Sequence, residues 1–320
     1  MTVGDKSIDI VMATYNGALY VEEQLRSIIK MDGFEKYINK IIICDDRSTD
    51  KTIDIVMRTV PEEYLVILYN NEKYPFGPCK NFERGISYSK SDYVLLSDQD
   101  DFWESNKLLK LLSCVQSDNK AVPQLVFSDL KVVDKNLEVI NSSFFDYQSI
   151  KLEWSHSLKN LLIQNIAPGC SMLINRTLIN EAMPFPINCL MHDWWLILVC
   201  KLKGEVYSCQ EPLVLYRQHG NNQVGAKSNS FLSLILSFKK NLDSSSYNLR
   251  KTIEQMTDFA KKFQSILSVD EKHYIHIWGE CTNKNTSRLN RVRLAFKYRL
   301  RKSSLVKTLG LYLIIILGKK

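Results

Sequence analysis

The sequence predicts an α/β fold in which helices cover both faces of a mostly parallel sheet, followed by a helical, basic C-terminal tail. Short apolar runs alternate with amphipathic stretches over the first hundred residues, a pattern typical of parallel sheets. The chain has 320 residues, of which 45% are hydrophobic and 24% charged, enough for one large domain with an appendage. Positive charge is concentrated towards the C-terminus.

Strands and helices are expected to alternate in the first half of the chain. Apolar runs predict strands at 8–13, 40–44, 64–69 and 93–96. Apolar residues at helical spacing predict helices at 20–29, 81–89 and 108–115. Ser48, Thr49 or Asp50 is expected to cap the helix that follows the second strand.

The second half has a different pattern, with two strands expected within 125–140 around a turn. The pattern further predicts a strand at 167–174, a helix at 193–201 and a strand at 212–216. A Ser-rich stretch, 228–246, marks a domain boundary. We expect a body at 1–226, with halves at about 1–120 and 121–226, and a tail at 227–320.

The net charge of +7 separates into two unequal parts. Residues from 239 onward hold 18 Lys and Arg against 6 Asp and Glu, whereas the first 238 residues hold 24 against 29. This asymmetry predicts an anionic partner for the tail. Eight cysteines are scattered without a CxxC pair, so we expect reduced thiols in a cytoplasmic protein and no zinc site.

Aspartates cluster after two of the predicted strands, at Asp45-Asp46 and at Asp98, Asp100 and Asp101. Ligands of open α/β sheets bind beyond the carboxyl ends of the strands, where these residues are expected to lie. Clustered carboxylates repel one another unless a cation offsets their charge, and Mg²⁺ or Mn²⁺ prefers oxygen ligands. The clusters therefore predict a metal-assisted nucleoside-diphosphate site. The alternative is that they are solvated turn and cap residues.

The series MATYNG, CDDRSTD, LLSDQDDFW, HDWW and YRQHG, in this order, resembles the inverting family 2 glycosyltransferases of the GT-A fold. It is most similar to their bacterial rhamnosyltransferase-like branch, which builds surface polysaccharides. The resemblance covers residues 8–225, and it implies that the half at about 1–120 binds the nucleotide sugar and that the half at about 121–226 binds the acceptor. It implies transfer of a sugar, such as rhamnose, from a dTDP- or UDP-linked donor to a glycan or lipid-linked acceptor.

The resemblance also implies roles for the residues that bind the nucleotide. Thr14 and Tyr15 would line the base, and Asp46 would accept a hydrogen bond from a pyrimidine ring, with Asp45 as a neighbouring candidate. The family's DxD motif falls on Asp98 and Asp100.

In that motif, Asp98 would contact both nucleotide and metal, and Asp100 would bind Mn²⁺ or Mg²⁺ directly. Asp101 would stand behind these ligands or cap a helix. Arg217 and His219 can bind phosphate, and His219 can also be a metal ligand. A plain surface loop is the alternative for the segment that holds both.

The family's catalytic base matches Asp193, where many members have an acid before the Asp and this chain has His192. The role of His192 is open. An Asp beside two tryptophans at a helix start would be partly desolvated, which favours use as a general base. The alternative is a capping Asp with Trp194 and Trp195 in the core. Gly169, before an acceptor-side strand, would admit a sugar ring closely.

The composition of the tail predicts that it binds to the surface of a membrane and does not span the bilayer. Residues 284–320 hold eleven Lys or Arg and no acid, and the apolar face of a basic helix is predicted from the spacing of Leu289, Val292, Phe296 and Leu300. The apolar run 311–317 has seven residues, far short of the roughly 20 that span a bilayer. The alternative is a helix packed on the body with its basic face in water.

We therefore expect a cytoplasmic enzyme, peripheral on the inner face of the cell membrane, that binds no nucleic acid because few aromatics interleave with the tail charges. Two other functions remain open. A sugar nucleotidyltransferase should have a Gly-rich basic loop after its first strand, where MATYNG offers one glycine and no Lys or Arg. A catalytically inactive, nucleotide-binding membrane scaffold would keep the fold without turnover.

Overall fold

A computed structural model of the chain describes residues 4–115, 119–219, 231–283 and 285–317, with 231–241 described by backbone only. Within these residues the strands are β1 Ile8–Thr14, β2 Ile38–Asp45, β3 Leu65–Tyr69, β4 Tyr93–Ser97, β5 Phe102–Trp103, β6 Gln124–Val133, β7 Val139–Asn141, β8 Met172–Asn175 and β9 Glu205–Arg217. The helices are α1 Val21–Ile29, α2 Phe34–Tyr37, α3 Thr52–Thr59, α4 Pro78–Tyr88, α5 Lys107–Cys114, α6 Phe144–Tyr147, α7 Leu158–Leu161, α8 Arg176–Ala182, α9 His192–Lys203, α10 Phe231–Lys262, α11 Val269–Glu280, α12 Arg288–Lys297 and α13 Leu305–Leu317.

The strands form one mixed sheet in the order β3-β2-β1-β4-β8-β6-β9-β5, with β7 beside β6. Strand β1 pairs in parallel with β2 and β4, and β2 pairs in parallel with β3. The carboxyl ends of β1, β2 and β4 therefore meet at one edge of the sheet. The predicted α/β class and the alternation of strands and helices in the first half are confirmed.

The core lies on both faces of these central strands. Six of the seven residues of β1 and all five of β4 are buried, as expected for parallel strands covered by helices. Apolar side chains at helical spacing, such as Val21, Leu25 and Ile28 of α1, are buried against the sheet. The helix after β2 begins at Thr52 with Lys51 at its N-cap, so none of the three predicted caps occupies that position, although the Asp50 side chain accepts from the Thr52 backbone N–H.

Two predicted strands differ in the structure. The strand expected at 167–174 is a 3-10 turn, Gly169–Ser171, followed by β8, and the turn is closed by a Ser171 N–H to Pro168 carbonyl hydrogen bond. The last strand was expected at 212–216 but β9 runs from Glu205 to Arg217. The first half of β9 is polar and mostly not buried, so the sequence has no apolar run there. Parallel pairing with β6 holds this half in the sheet.

The residues form two compact units. The first comprises Met1–Phe145, Ala167–Phe185 and Met191–Ala226, and the second comprises Asp146–Ile166, Pro186–Leu190 and Lys227–Lys320. The division at residue 226 lies where the tail was predicted to begin, but two short segments of the predicted acceptor half belong to the second unit. The assignment of separate nucleotide and acceptor halves stays a prediction.

The second unit is mainly helical in its described part, as predicted for the tail. The helix expected from Leu289 to Leu300 ends at Lys297, and Leu300 is buried instead of continuing an apolar face. Leu289 and Phe296 of α12 are exposed, whereas Arg291 and Ala295 are buried. Among the helices of the described ranges, none combines the length and the apolar character needed to cross a membrane.

Candidate active site

The first aspartate cluster lies at the carboxyl end of β2, and protein donors occupy its carboxylates. Oδ1 of Asp45 accepts hydrogen bonds from the Thr14 hydroxyl at 2.9 Å and the Ser48 hydroxyl at 2.6 Å, and Oδ2 accepts from the Ser48 N–H at 2.9 Å. Both Thr14 and Asp45 are buried. Asp45 therefore ties the end of β1 to the turn after β2.

Asp46 is held in a similar way. Its Oδ1 accepts from the Asn70 amide at 2.7 Å and the Phe76 N–H at 2.9 Å, and its Oδ2 accepts from the Gly77 N–H at 2.8 Å. Asp46 thus fixes the segment that leads into α4. The predicted hydrogen bond from Asp46 to a nucleobase would use a remaining acceptor position and stays a prediction.

The turn after β1 is joined to the acidic loop after β4 through Gln99. The side-chain oxygen of Gln99 accepts from the Tyr15 N–H at 2.9 Å, and its amide donates to the Tyr15 carbonyl at 3.1 Å. A Cβ on Gly17 would lie 2.3 Å from the same oxygen, so a larger residue there would have to displace the Gln99 amide from this position. The Tyr15 side chain is half-exposed beside them.

The acidic loop after β4 carries carboxylates at two depths. Asp98 and Asp100 are partly exposed, while Asp101 is buried. Burial raises the pKa of Asp98 to about 7, and the charges of Asp100 and Asp193 act in the same direction. Burial, together with the charges of Asp100 and Asp98, raises the pKa of Asp101 well above its usual range. The loop therefore gathers carboxyl groups whose ionised form is disfavoured by burial and by one another.

The residues of this loop fit a divalent cation. One ligand atom each from Asp98, Asp101 and Cys170 lies within 4.8 Å of the others. Oδ2 of Asp101 is buried and has no hydrogen-bond partner within the described part of the chain. Carboxylate oxygens suit Mg²⁺ or Mn²⁺ and a thiol does not, so Asp98 and Asp101 are the candidate ligands of this group.

Asp100 and His219, both predicted as metal ligands, lie together. Nε2 of His219 is 2.8 Å from Oδ2 of Asp100, and the His219 ring stacks on Tyr20 with centroids 4.8 Å apart. The structure therefore brings His219, which follows β9, to the acidic loop, and its predicted roles in binding phosphate or metal stay predictions. Residues 220–225, the rest of the predicted loop, lie outside the described residues.

Arg217 is buried and its polar atoms contact protein groups. Its N–H donates to Oδ1 of Asp101 at 3.2 Å, and its guanidinium donates to the carbonyl groups of Asp100 at 2.8 Å and Lys135 at 2.6 Å. The guanidinium also forms an ion pair with Glu23. Arg217 thus holds the acidic loop from behind, and its predicted contact with phosphate stays a prediction.

Asp193 lies in the first turn of α9 and is 8% exposed. Its Oδ1 accepts from the Trp194 N–H at 2.6 Å, and its Oδ2 accepts from the Gly169 N–H at 3.2 Å. Its negative charge is near enough to raise the pKa of Asp98. The fold therefore brings the predicted base to the predicted metal loop, although the two are 95 positions apart in sequence.

Lys107 is a residue of the site that the sequence reasoning missed. It is fully buried at the start of α5, lies over the Trp103 ring at 3.3 Å from its centroid, and donates to the Cys170 carbonyl at 2.6 Å. Burial lowers the pKa of Lys107 to about 7, against the charges of Asp101 and Asp98. The available signal was a lysine directly before the helix predicted at 108–115 and a few residues after the acidic loop.

Comparisons with known proteins show which proteins the chain resembles. A family model described as "Glycosyl transferase family 2" matches residues 9–179. The dTDP-rhamnosyl transferase RfbG of Shigella flexneri is 32% identical over 229 residues, which is 67% of this chain and 74% of that protein. An Escherichia coli glucosyltransferase, WfgD, named as acting on α-D-GlcNAc-diphosphoundecaprenol with UDP-Glc, is 26% identical over 184 residues, 57% of this chain and 65% of that protein.

Solved structures resemble the fold at low sequence identity. S. aureus TarS 1-349 in complex with UDP-GlcNAc gives a TM-score of 0.56 at 13% identity, covering 97% of this chain and 90% of that chain. The mannosyltransferase PcManGT from Pyrobaculum calidifontis, in complex with GDP-Man and Mn²⁺, gives a TM-score of 0.56 at 14% identity, covering 98% and 85%. At these identities the likeness concerns the fold alone.

Proposed function

This chain belongs to glycosyl transferase family 2 and has the GT-A fold, and we propose that it moves a sugar from a nucleoside-diphosphate donor to an acceptor hydroxyl with inversion of configuration. The observation that carries the proposal is that one turn contacts both groups: the Gly169 N–H donates to Asp193, and the thiol of the next residue, Cys170, lies within 4.8 Å of carboxylate oxygens of Asp98 and Asp101. A base and a diphosphate site must face the same anomeric carbon for a single displacement.

In this mechanism Asp193 is the general base. The N–H groups of Trp194 and Gly169 orient its oxygens, and a carboxylate held in this way would accept the proton of the acceptor hydroxyl. The hydroxyl oxygen then attacks the anomeric carbon, and the nucleoside diphosphate leaves from the opposite face. The partial burial of Asp193 limits competition from water as the proton acceptor.

The carboxylates of Asp98, Asp100 and Asp101 would hold Mn²⁺ or Mg²⁺, which when bound supplies positive charge to the developing diphosphate. His219 stands at Asp100, where it orients that carboxylate or joins the ligand set. Thr14, Tyr15 and Asp46 would line the base from the turns after β1 and β2. Support for a nucleotide-sugar donor comes from the relatives, whose names include dTDP-rhamnosyl and UDP-Glc transfer.

We propose rhamnose, carried by dTDP, as the donor sugar, because the relative that shares 32% identity over two thirds of this chain is named for that donor. The acceptor would be a glycan or a lipid-linked saccharide of surface polysaccharide synthesis. Membership in a glycosyltransferase family disfavours the nucleotidyltransferase alternative. Only a measurement of turnover separates the enzyme from an inactive scaffold.

The test is transfer by the purified chain with a panel of dTDP- and UDP-sugars, with Mn²⁺ or with a chelator. Asp193→Asn should reduce kcat by about 10²–10⁴-fold, the usual contribution of a general base. The control is Asp92→Asn, an exposed carboxylate in a surface ion pair with Lys120, which should keep full activity. Undiminished transfer by Asp193→Asn would remove the base assignment, and no transfer from any donor would favour the scaffold.

We further propose that the second unit rests on an anionic lipid surface. Exposed leucines repeat every fourth residue along α13, at Leu305, Leu309, Leu313 and Leu317. They form one apolar stripe on a segment that carries no acid between residues 284 and 320. Apolar side chains with surrounding basic charge match the interface of an anionic bilayer. Binding to the cytoplasmic face of the membrane would bring the enzyme to a lipid-linked acceptor.

Co-sedimentation with phosphatidylglycerol vesicles tests this second proposal. The double variant Leu309→Glu/Leu313→Glu should lose most binding, while Leu109→Glu, at an exposed leucine of α5 in the first unit, should bind like the parent protein. Binding that is equal for all three proteins, or equal on zwitterionic vesicles, would contradict the proposal.

A further inference from the structure

The 3-10 turn Gly169–Ser171 contacts both halves of the proposed chemistry. On one side the Gly169 N–H donates to Oδ2 of Asp193. On the other side the Cys170 thiol lies within 4.8 Å of carboxylate oxygens of Asp98 and Asp101. A movement of this turn would therefore change the position of the base relative to the acidic loop.

Lys107 anchors the turn. Its amine donates to the Cys170 carbonyl at 2.6 Å from a fully buried position over the Trp103 ring. A buried amine that lost this acceptor would leave a desolvated polar group, which is costly. The Cys170 carbonyl is thus held in one place, and the neighbouring Gly169 N–H with it.

His192 fills the space between the turn and α9. Its ring is 2% exposed and stacks on Phe82, with centroids 3.8 Å apart. Neither ring nitrogen has a hydrogen-bond partner among the residues that the structure describes, and burial lowers the pKa of His192 to about 3, so the ring is neutral. The ring acts here as a flat spacer and not as a charged group.

Gly169 is the position that allows this arrangement. A Cβ on Gly169 would lie 2.4 Å from Nε2 of His192 and 3.4 Å from the Cβ of Asp193. The first distance is too short for any side chain, and the stacked, buried imidazole has little room to retreat. Any larger residue must therefore displace the turn, the imidazole or the first turn of α9.

We propose that Gly169 is a positioning residue for Asp193: its N–H orients one carboxylate oxygen, and its missing side chain lets the His192 ring set the spacing between the turn and α9. The inference rests on the proposed role of Asp193 as the base. It gives His192 a packing role and makes Lys107 the anchor of the same turn.

The test introduces a steric clash with His192 by Gly169→Ala and then removes it with the second substitution His192→Ala. Gly169→Ala should lower kcat by about 10–100-fold, since small misplacement of a reacting group is costly, with donor KM little changed. The acid limb of its kcat–pH profile should move to higher pH, because a carboxylate that loses a hydrogen-bond donor binds its proton more tightly. Gly169→Ala/His192→Ala removes the clash and should recover to within about threefold of His192→Ala alone.

Gly279→Ala is the matched control, because a Cβ there meets no atom within 4 Å. Wild-type kcat and pH profile in Gly169→Ala, or no recovery in a folded double variant, would overturn the positioning role. If circular dichroism shows that both Gly169 variants are unfolded, the kcat–pH profile of Lys107→Met tests the inference instead. It should move the acid limb in the same direction, and an unchanged profile overturns the inference.

The two proposals fail separately. An inactive Asp193→Asn with a fully active Gly169→Ala would remove only the positioning role. An active Asp193→Asn would remove the base assignment itself.

Discussion

Two clusters of aspartates follow strands at the same edge of the sheet, and their surroundings differ. The carboxylates of Asp45 and Asp46 accept six hydrogen bonds between them from hydroxyl, amide and backbone donors. Those of Asp98 and Asp101 lie beside other carboxylates, and their pKa values are raised by burial and by those neighbouring charges. The sequence signal is the same in both places, and the environment differs.

The difference in hydrogen-bond donors indicates a structural role for the first cluster and a metal-binding role for the second. A carboxylate satisfied by fixed donors holds loops in place and has little capacity left for a metal. Carboxylates gathered without enough donors are unfavourable unless a cation or a proton joins them. The first cluster therefore shapes the nucleotide end of the site, and the second is the candidate for binding the cation.

The largest expected effect is at the second cluster. Asp98→Asn should weaken Mn²⁺ binding and transfer by at least about 100-fold, since loss of even an outer-sphere partner of a metal costs about 10–100-fold. Isothermal titration with Mn²⁺ and nucleoside diphosphate measures the first quantity. Asp92→Asn on the exposed surface is the control, and unchanged Mn²⁺ affinity in Asp98→Asn would show that the cation, if any, binds elsewhere.

The next effect is on stability and concerns the first cluster. Asp46→Asn puts an amide donor where Phe76 and Gly77 present N–H groups, so the free energy of unfolding should fall by about 1–3 kcal/mol. Urea denaturation measures the change. Mn²⁺ affinity should stay at the wild-type value, and a Mn²⁺ defect as large as that of Asp98→Asn would break the distinction between the clusters.

The smallest effect is the pH dependence of metal-free stability. The pKa of Asp98 is raised to about 7 in the fold, so this group's contribution to stability is present below about pH 4 and is lost as the pH rises through about 7. Asp98→Asn lacks this loss. Between pH 5 and 8 its Tm should gain roughly 2–4 °C on the wild type, a range kept small because Asp98 is partly exposed.

Differential scanning calorimetry in the presence of a chelator measures both proteins. A constant Tm difference across this range would mean that Asp98 does not hold its proton more tightly in the fold. Added Mn²⁺ should raise the wild-type Tm at pH 8 and leave that of Asp98→Asn nearly unchanged.

Much of this site is visible in the sequence because its residues follow strands with a clear apolar signal. The runs that form β1, β2 and β4 place Thr14, Asp45, Asp46 and Asp98 at one edge of the sheet from local pattern alone. The turn at Gly169 and the long β9 were misjudged, because a 3-10 turn and a strand held by pairing have no period of their own. Lys107 was missed because the sequence alone does not distinguish a buried lysine from a lysine on the surface.

By itself, the sequence determined the class of the fold, the family and the edge of the sheet where the carboxylates gather, since these follow from local periodicity and from motif order. The tertiary structure alone decided which aspartates have hydrogen-bond donors around them, that the turn at Gly169 contacts both Asp193 and the acidic loop, and that the His192 ring packs against Gly169. The reason is physical: hydrogen-bond partners, burial and charge proximity are set by residues distant in the chain, and local pattern carries no information about them.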